Sequence, residues 1–385
     1  MKHQLPSRAG VLIIGGGVIG LATAYHLARS GVEGVVLVDS GTFGSGSTCK
    51  AAGGVRANFS DALNIQLGQR SLATFARFEK EFDQEIDLHR VGYLFLLDRP
   101  EDVADFEDNV ALQTSLGVRA EMLSPAEAQR LSPLVRLDGV IAAAWTPDDG
   151  HCTPESVVLG YARAARAHGA TLIPHCAVTG ATIDGGQIRS VSTVAGEIAT
   201  DTVVCAAGPW LADVARFFGV DLPVEPLRRQ ILTTEPLPDL VPDTPFTIDY
   251  TTSFYFHGEG RGLLVGMSDP HETVGFKLER DEAWLPGLID AMERRAPAIA
   301  EAGISGGWAG LYEMTPDHNG LVGEASDLSG FFYAGGFSGH GFLLGPALGE
   351  VVADLVRRET PFVDITPFDV RRFDGSPLQH ERNIV

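Results

Sequence analysis

A glycine cluster near the N-terminus has the residue types and the spacing that bind a diphosphate. Gly15, Gly17 and Gly20 follow an apolar, mostly β-branched run at residues 11–14 and precede a stretch with helical periodicity. The first glycine permits a tight turn, the second lets the backbone approach a pyrophosphate, and the third lets the helix pack close to the strand. The helix N-terminus then offers N–H groups and a favourable dipole to the anion. The pattern predicts a dinucleotide site.

An acidic residue at the end of the next strand supports that prediction. Asp39 follows a second apolar run, residues 35–38, at the distance from the glycines where a carboxylate accepts hydrogen bonds from ribose hydroxyls. A glycine cluster alone is weak evidence, because glycine-rich turns without a ligand also occur. The cluster, both strands and the acid together favour the dinucleotide site.

Two further stretches have compositions that suit ligand contact. Residues 41–56 are rich in glycine, serine and threonine and contain Lys50 and Arg56, two cations that favour an anion or a carboxylate. A flexible surface linker is the alternative. Near the other end of the chain, a strand at 331–334 leads into the glycine-rich residues 335–341 and then a last helix. This second strand-to-helix turn directs another helix N-terminus at an electron-rich group.

Composition bounds the class of protein that carries these stretches. With 385 residues, 44% of them hydrophobic, the chain is long enough for two intertwined domains. The formal charge of −21 argues against nucleic acid and anionic membranes as partners. The four cysteines form no Cys-x-x-Cys pair, which favours reduced thiols and a cytoplasmic protein. Glycines interrupt the first apolar run, so we expect neither a signal peptide nor a membrane span.

The motifs together resemble the FAD-dependent superfamily that includes D-amino acid oxidase, glycine oxidase, sarcosine oxidase and dye-linked proline dehydrogenase. The resemblance covers about residues 10–357. The residues that carry it are the glycine cluster with Asp39, the loop at 46–56, and the segments 206–210, 312–317 and 336–342. We expect sarcosine oxidase and dye-linked proline dehydrogenase to be nearest in motif.

The fold that we expect is α/β, with a Rossmann-type FAD-binding domain built from discontinuous segments and an inserted antiparallel-sheet α+β substrate domain. The FAD-binding domain is predicted at residues 1–82, 145–225 and 308–370, and the substrate domain at 83–144 and 226–307. Strand-like alternation at 253–257 places Tyr255 and His257 on one face of the second domain.

The resemblance implies that FAD lies extended between the two domains, with its diphosphate on the first glycine turn and its ring system against the loop at 47–54. The expected FAD-binding residues are Gly15, Gly17, Val18, Ile19, Gly20, Asp39, Ser40, Ser47, Thr48, Lys50, Ala51, Ala52, Gly53, Val178, Ala207, Gly208, Trp210, Gly336, Gly339, His340, Gly341, Phe342 and Leu343. We expect no metal.

Several departures from the family bear on the chemistry. The histidine and the cysteine that anchor flavin covalently in relatives are replaced by Lys50 and Gly310, so we predict non-covalent FAD. Two lysines of the monomeric sarcosine oxidases, one promoting the reaction with oxygen and one holding the substrate carboxylate, correspond to Leu264 and Leu343. The electron acceptor therefore stays open between O2 and another carrier.

Four residues are expected to form the catalytic site. Arg56 matches an arginine that pairs with the substrate carboxylate in sarcosine oxidases, the alternative being a structural arginine that satisfies loop carbonyls. Tyr255 and Tyr312 would shape the site above the flavin, and His340 would contact the flavin edge or tune the protonation of the substrate. Arg228 and Arg229 are predicted to be mainly structural, within reach of the flavin edge.

The expected activity is oxidation of the C–N bond of an amino acid or N-substituted amino acid, by hydride transfer to flavin N5 and hydrolysis of the imine product. Three alternatives stay open. A 2-hydroxy acid dehydrogenase would need a base, His257 or His340. A flavoprotein subunit of a hetero-oligomeric dehydrogenase would need a partner chain. A nicotinamide dehydrogenase would leave the second glycine-rich turn without a role.

Overall fold

The computed structural model describes residues 5–237, 240–241, 243–375 and 378–383. Its strands in chain order are β1 (Val11–Ile14), β2 (Val35–Val38), β3 (Gly54–Val55), β4 (Tyr93–Leu97), β5 (Glu121–Leu123), β6 (Ala142–Thr146), β7 (Gly150–His151), β8 (Thr171–Ile173), β9 (Val178–Asp184), β10 (Gln187–Thr193), β11 (Gly196–Ala199), β12 (Val203–Cys205), β13 (Glu225–Thr234), β14 (Phe246–Asp249), β15 (Phe254–Glu259), β16 (Gly262–Gly266), β17 (Ile304–Met314), β18 (Leu321–Glu324) and β19 (Phe331–Gly335). The helices are α1 (Val18–Arg29), α2 (Ala62–Phe75), α3 (Phe78–Phe82), α4 (Pro100–Ser115), α5 (Pro125–Leu131), α6 (Pro154–Ala167), α7 (Leu211–Arg216), α8 (Leu285–Arg295), α9 (Pro297–Ala300) and α10 (Gly341–Val356).

A six-stranded sheet in the order β18-β19-β12-β1-β2-β8 confirms the Rossmann-type domain. All neighbours in it are parallel except β18 and β19. The first two strands are buried throughout, as expected for a parallel sheet covered on both faces. A layer of helices containing α1, α2, α6 and α10 packs on one face, and the antiparallel sheet β11-β10-β9 packs on the other with α7.

The two helices with N-termini at glycine-rich turns pack directly against each other. A Cβ built on Gly349 of α10 would lie 2.3 Å from the Cβ of Ala22 on α1, and one on Gly345 would lie 2.6 Å from the Val18 side chain. Only glycine permits this approach, since real Cβ contacts are longer. The packing brings both N-termini to the same end of the helix layer.

The second domain is an eight-stranded sheet in the order β17-β13-β16-β15-β14-β4-β6-β5. Its pairs are antiparallel, as expected, except for the parallel pair β4 and β14, which joins the two chain segments of the domain. Alternation gives the sheet two apolar faces: Phe254 and Phe256 pack beneath α8, whereas Tyr255 packs on the opposite face beside Phe246. The predicted face of Tyr255 is confirmed.

Three predicted domain boundaries fall inside strands. The boundary at 225/226 separates the first residue of β13 from the rest of that strand. The boundary at 144/145 cuts β6, and the boundary at 307/308 cuts β17, yet both strands lie wholly in the eight-stranded sheet. Residues 145–146 and 308–314 therefore belong with the second domain. The cause is strand continuity, because β17 pairs with β13 along its length and a local pattern of apolar residues does not reveal that partner.

Within the described ranges, no helix combines the length and the apolar character needed to cross a membrane.

Candidate functional site

A cavity of about 620 Å³ lies where the two domains meet. The carboxyl ends of β1, β2 and β12 form one side, which is the edge of a parallel sheet where ligands bind. The other side is the face of the eight-stranded sheet that carries Tyr255. The loop at 44–54 and the first turns of α1 and α10 complete the boundary.

The first turn of α1 is built around the conformation of Gly15. Its φ of 109° lies in the left-handed region, and a Cβ there would meet the Ala206 carbonyl oxygen at 2.2 Å. The Asp39 carboxylate accepts hydrogen bonds of 2.6 Å from the N–H groups of Gly16 and Gly41, which fixes it at the cavity edge. A carboxylate has capacity for further bonds, so Asp39 can still accept from a ribose hydroxyl.

The loop at 44–54 is fastened to both sides of the cavity. The Thr48 hydroxyl accepts a hydrogen bond of 3.1 Å from the Val18 N–H, at the start of α1. The Lys50 carbonyl accepts one of 2.9 Å from the Trp308 indole, on β17. The loop is therefore a fixed part of the site and not a flexible linker.

The first turn of α10 opens onto the same cavity. Gly339 has a φ of 102°, and a Cβ on it would lie 2.5 Å from the Tyr312 ring, so this glycine permits the strand-to-helix turn to pass beneath the tyrosine. His340, Gly341, Phe342 and Leu343 follow it along the cavity. Two helix N-termini thus direct their positive ends into one space.

All the predicted FAD-binding residues line the cavity except Gly20 and Gly336. A Cβ on Gly20 would meet the Gly15 carbonyl at 2.0 Å, so its role is the close packing of the helix on the glycine turn. Gly336 has a φ of 75° and faces Thr315 and Val224, so it shapes the turn from behind. Both glycines support the site without lining it.

Arg56 lines the cavity, and three of its five N–H groups already donate hydrogen bonds within the protein. Nη1 donates to the Asn58 backbone carbonyl at 2.9 Å and to its side-chain oxygen at 2.6 Å, and Nη2 donates to the Asn383 carbonyl. The side chain is buried, with its guanidinium 4.4 Å from the centre of the Phe59 ring. These bonds use both N–H groups of Nη1 and one of Nη2, as the structural alternative predicts, and leave the Nε edge for a ligand, so the carboxylate role of Arg56 stays a prediction.

Tyr255 and Tyr312 line the cavity next to each other, and burial raises the pKa of both phenols. Tyr255 stacks on Phe246 at a ring distance of 5.4 Å. Both phenols are therefore uncharged near neutral pH.

The two histidines differ in position, because His340 lines the cavity and His257 lies outside it. Burial, together with the neighbouring Arg56 cation, holds the pKa of His340 well below its usual range, which favours a neutral ring near neutral pH. His257 does not line the cavity, and its ring nitrogens lie 2.8 Å and 2.9 Å from the carbonyl oxygens of Gly258 and Ala52. Burial lowers its pKa to about 4.

Sequence reasoning did not single out two acidic residues of the cavity, Asp213 and Glu313, and Arg229, predicted to be mainly structural, lines the cavity as well. The buried Glu313 carboxyl accepts hydrogen bonds from the N–H groups of Gly336 and Phe337, and burial raises its pKa to about 7. Its other oxygen, Oε2, has no hydrogen-bond partner among the described residues. The one available signal for Glu313 was its position next to Tyr312 within a recognised motif.

These residues fit FAD. The cavity joins an acidic residue suited to a ribose, a glycine turn at a helix N-terminus suited to a diphosphate, and a second helix N-terminus suited to the electron-rich edge of a flavin. The orphaned Oε2 of Glu313 adds a buried polar atom that a ligand hydroxyl would satisfy. Among the described residues, no group of three or more His, Cys, Asp or Glu side chains is placed to hold a metal ion.

Fold and cavity together define a flavin-dependent oxidoreductase with a two-domain architecture. The chain belongs to the FAD dependent oxidoreductase family, whose family model matches residues 10–355. FAD is the cofactor of that family, and the expected superfamily is thereby confirmed.

Relatives with known names agree with this assignment. Mitochondrial sarcosine dehydrogenase of Mus musculus is 32% identical over 99% of this chain and 43% of its own length. Glycine oxidase of Geobacillus kaustophilus is 28% identical over 96% of this chain and 98% of its own length. The crystal structure of L-proline dehydrogenase from P. horikoshii superposes with a TM-score of 0.90 at 31% identity, covering 97% of this chain and all of that one.

The chain spans less than half the length of the curated relatives at the head of the comparison, the sarcosine and dimethylglycine dehydrogenases among them. It matches glycine oxidase and the proline dehydrogenase chain over almost their full lengths.

Proposed function

We propose that this protein oxidises the C–N bond of an amino acid that carries a secondary or primary amine, with FAD as hydride acceptor and an imine as product. The imine then reacts with water to give a carbonyl compound and an amine. The observation that carries this proposal is the cavity itself, in which the α10 N-terminus faces a sheet surface of tyrosines and a cation. The similarity to a sarcosine dehydrogenase and to an L-proline dehydrogenase supports a secondary amine as the substrate class.

FAD, when bound, supplies the electron acceptor of the reaction, taking up two electrons and a proton as a hydride equivalent. The chain contributes binding, orientation and electrostatics. The N-terminus of α10, at His340 and Gly341, stabilises negative charge that develops at the edge of the cavity. Tyr255 and Tyr312 form an apolar surface with O–H groups, against which a small amine can be oriented.

The charges of the cavity also favour the amine in its reactive, neutral form. Arg56 and Arg229 both line the cavity, and nearby cations disfavour an ammonium ion. The buried carboxyl there, Glu313, has its pKa raised by burial to about 7, so it offers only partial compensation near neutral pH. The amine therefore needs no dedicated strong base to enter the reaction unprotonated.

Non-covalent FAD forms part of the proposal. A Cβ at position 310, where a cysteine anchors flavin in monomeric sarcosine oxidases, would lie 2.7 Å from the Lys50 Cβ. Gly310 thus leaves no room for a side chain unless the loop moves. The electron acceptor, O2 or another carrier, and an oligomer or a partner subunit are left to experiment.

The alternative of a 2-hydroxy acid dehydrogenase has weaker support. It needs a base that removes a hydroxyl proton. His257 lies outside the cavity, and the buried His340, whose pKa is held low, is a poor proton acceptor. A nicotinamide dehydrogenase would leave the N-terminus of α10 facing the cavity without a purpose.

The test is the absorbance spectrum of the purified, FAD-saturated protein, followed without oxygen while amines are added: sarcosine, glycine, L-proline, D-proline and N-carboxymethyl amino acids. Bleaching of the flavin bands by at least one amine is the expected result. Re-admitted air then separates an oxidase from a dehydrogenase by the speed of recolouring. Bleaching by 2-hydroxy acids alone would refute amine oxidation, and a protein that binds no FAD would refute the whole proposal.

A further inference from the structure

The carboxylate of the substrate needs a fixed cation in the cavity, and we infer that Arg229 is that cation. The inference rests on the proposed function, because it assigns a residue to the carboxylate of an amino acid substrate. It replaces Arg56, which was expected in that role, with a residue whose position in the sheet was not evident before the fold was known.

Strand geometry separates Arg229 from its neighbour. On β13, Arg229 and Ile231 point to the face that lines the cavity, and Arg228 points to the other face. Arg228 is neutralised there, since its guanidinium contacts Glu272 at 2.6 Å and Asp281 at 3.1 Å. Arg228 therefore fixes the segment at 272–281, whereas Arg229 faces the cavity.

The half-buried Arg229 has few partners for its guanidinium within the described chain. Its Nε is buried without a hydrogen-bond acceptor among the described residues, and Nη1 makes one bond of 3.2 Å, to the Arg228 carbonyl. No carboxylate of the described chain lies within 4.0 Å of it. A buried donor without an acceptor is costly, so an acceptor supplied by a ligand is expected at this position.

Tyr312 holds the group in place. The Arg229 guanidinium lies 5.0 Å from the centre of the Tyr312 ring, a distance typical of a cation–π contact. A planar guanidinium beside this ring is a fork that can match a carboxylate with two parallel hydrogen bonds.

The surroundings of Arg229 indicate what else the substrate carries. Ile231, Phe246 and Tyr255 share its face of the sheet and line the cavity beside it. A substrate held by its single carboxylate at Arg229 meets an apolar and aromatic surface with the rest of its body. The fitting class is a small amino acid with an aliphatic body, and a second cationic group on the substrate would be repelled by Arg229 and Arg56.

The experiment compares two probes of nearly equal shape, isobutyrate and isobutyramide, which differ in charge. Their binding to the FAD-saturated protein is followed by the change in the flavin absorbance bands. We expect the wild-type protein to bind isobutyrate more tightly, and Arg229→Met to weaken isobutyrate binding by about 10- to 150-fold while isobutyramide binding changes little. Arg229→Lys, which keeps the charge but loses the fork, should fall between.

Two controls separate this role from a general loss of charge or of structure. Arg280→Met removes an exposed cation that does not line the cavity, and it should leave the isobutyrate Kd unchanged. The FAD content and the Tm of each Arg229 variant are measured alongside, and Arg229→Gln serves if the methionine variant does not fold.

The outcomes distinguish this inference from the proposed function. Equal isobutyrate binding by wild type and folded Arg229 variants would overturn the role of Arg229 even if amines bleach the flavin. Loss of isobutyrate binding in the variants would support it even if no amine is oxidised. With an oxidised amino acid in hand, Arg229→Met should raise KM far more than it lowers kcat, and an equal loss of kcat with unchanged KM would count against an anchor.

Discussion

The buried carboxyl of Glu313 allows a prediction of how the free energy of unfolding depends on pH. Its carboxyl is buried, and burial raises its pKa from the ordinary 4.5 to about 7. The folded protein therefore binds a proton at this site between pH 4.5 and 7 that the unfolded chain releases. Stability contributed by the protonated carboxyl is fully present at pH 4.5 and is lost as pH rises through 7.

The size of the effect follows from the difference in pKa. A difference of one in pKa corresponds to about 1.4 kcal/mol. The free energy of unfolding should therefore fall by about 3 kcal/mol, because of this group, as the pH rises from below 4.5 to above 7. Glu313→Gln keeps a side-chain oxygen for the N–H groups of Gly336 and Phe337 but cannot ionise. The stability of the variant relative to the wild type should increase by about 2.5 kcal/mol between pH 5 and pH 8.

The assay is urea unfolding of the FAD-free protein at pH 5, 6, 7 and 8, with the free energy extrapolated to water, because a ligand hydroxyl on Oε2 would itself lower the pKa of Glu313. Asp149 and Glu381, whose pKa values burial raises to about 7 and about 8, contribute equally to both proteins and cancel in the comparison. Glu225→Gln, an exposed carboxylate on β13, controls for the change of net charge. The same pH dependence of the free energy of unfolding in the wild type and in Glu313→Gln would refute the reasoning.

Three other predictions follow from single contacts. Acid precipitation of the holoprotein should release all its FAD into the supernatant, and flavin retained in the pellet would contradict non-covalent binding. Gly349→Ala should lower the free energy of unfolding by about 1–3 kcal/mol, because its Cβ would meet Ala22 at 2.3 Å; an unchanged Tm would show that the helices can separate. Arg295→Met should lower the free energy of unfolding by about 3–5 kcal/mol, because it leaves the buried Asp249 carboxylate, 3.0 Å away, without its cation. Adding Asp249→Leu should recover part of that loss in the same unfolding assay.

Much of the fold follows from local pattern. The strands β1 and β2 have the predicted bounds, because short apolar runs that end at glycine or an acidic residue leave little choice of register. The alternation around Tyr255 likewise identified its face. These features depend on the residues of one element alone, which a sequence displays directly.

The pairing of distant segments could not be predicted in the same way. The parallel contact of β4 with β14 joins two strands about 150 residues apart, and β17 continues across a predicted boundary to pair with β13. Such contacts are decided by which sheet edge remains available once other elements have packed. The apolar pattern of each strand is compatible with several partners, so the boundaries of the second domain depended on the structure.

The arginines of the cavity show that a sequence motif does not by itself determine which side chain binds a ligand. Arg56 lies in a recognised loop and reaches the cavity, yet the carbonyls of Asn58 and Asn383 hold its terminal nitrogens. Nothing in the local sequence distinguishes Arg229 from the adjacent Arg228. The pleat of β13 places Arg228 beside carboxylates and Arg229 in the cavity. What a cation can bind depends on which acceptors it lacks, and that is known only when every neighbour has been placed. A motif therefore predicts where a ligand lies more securely than which side chain holds it.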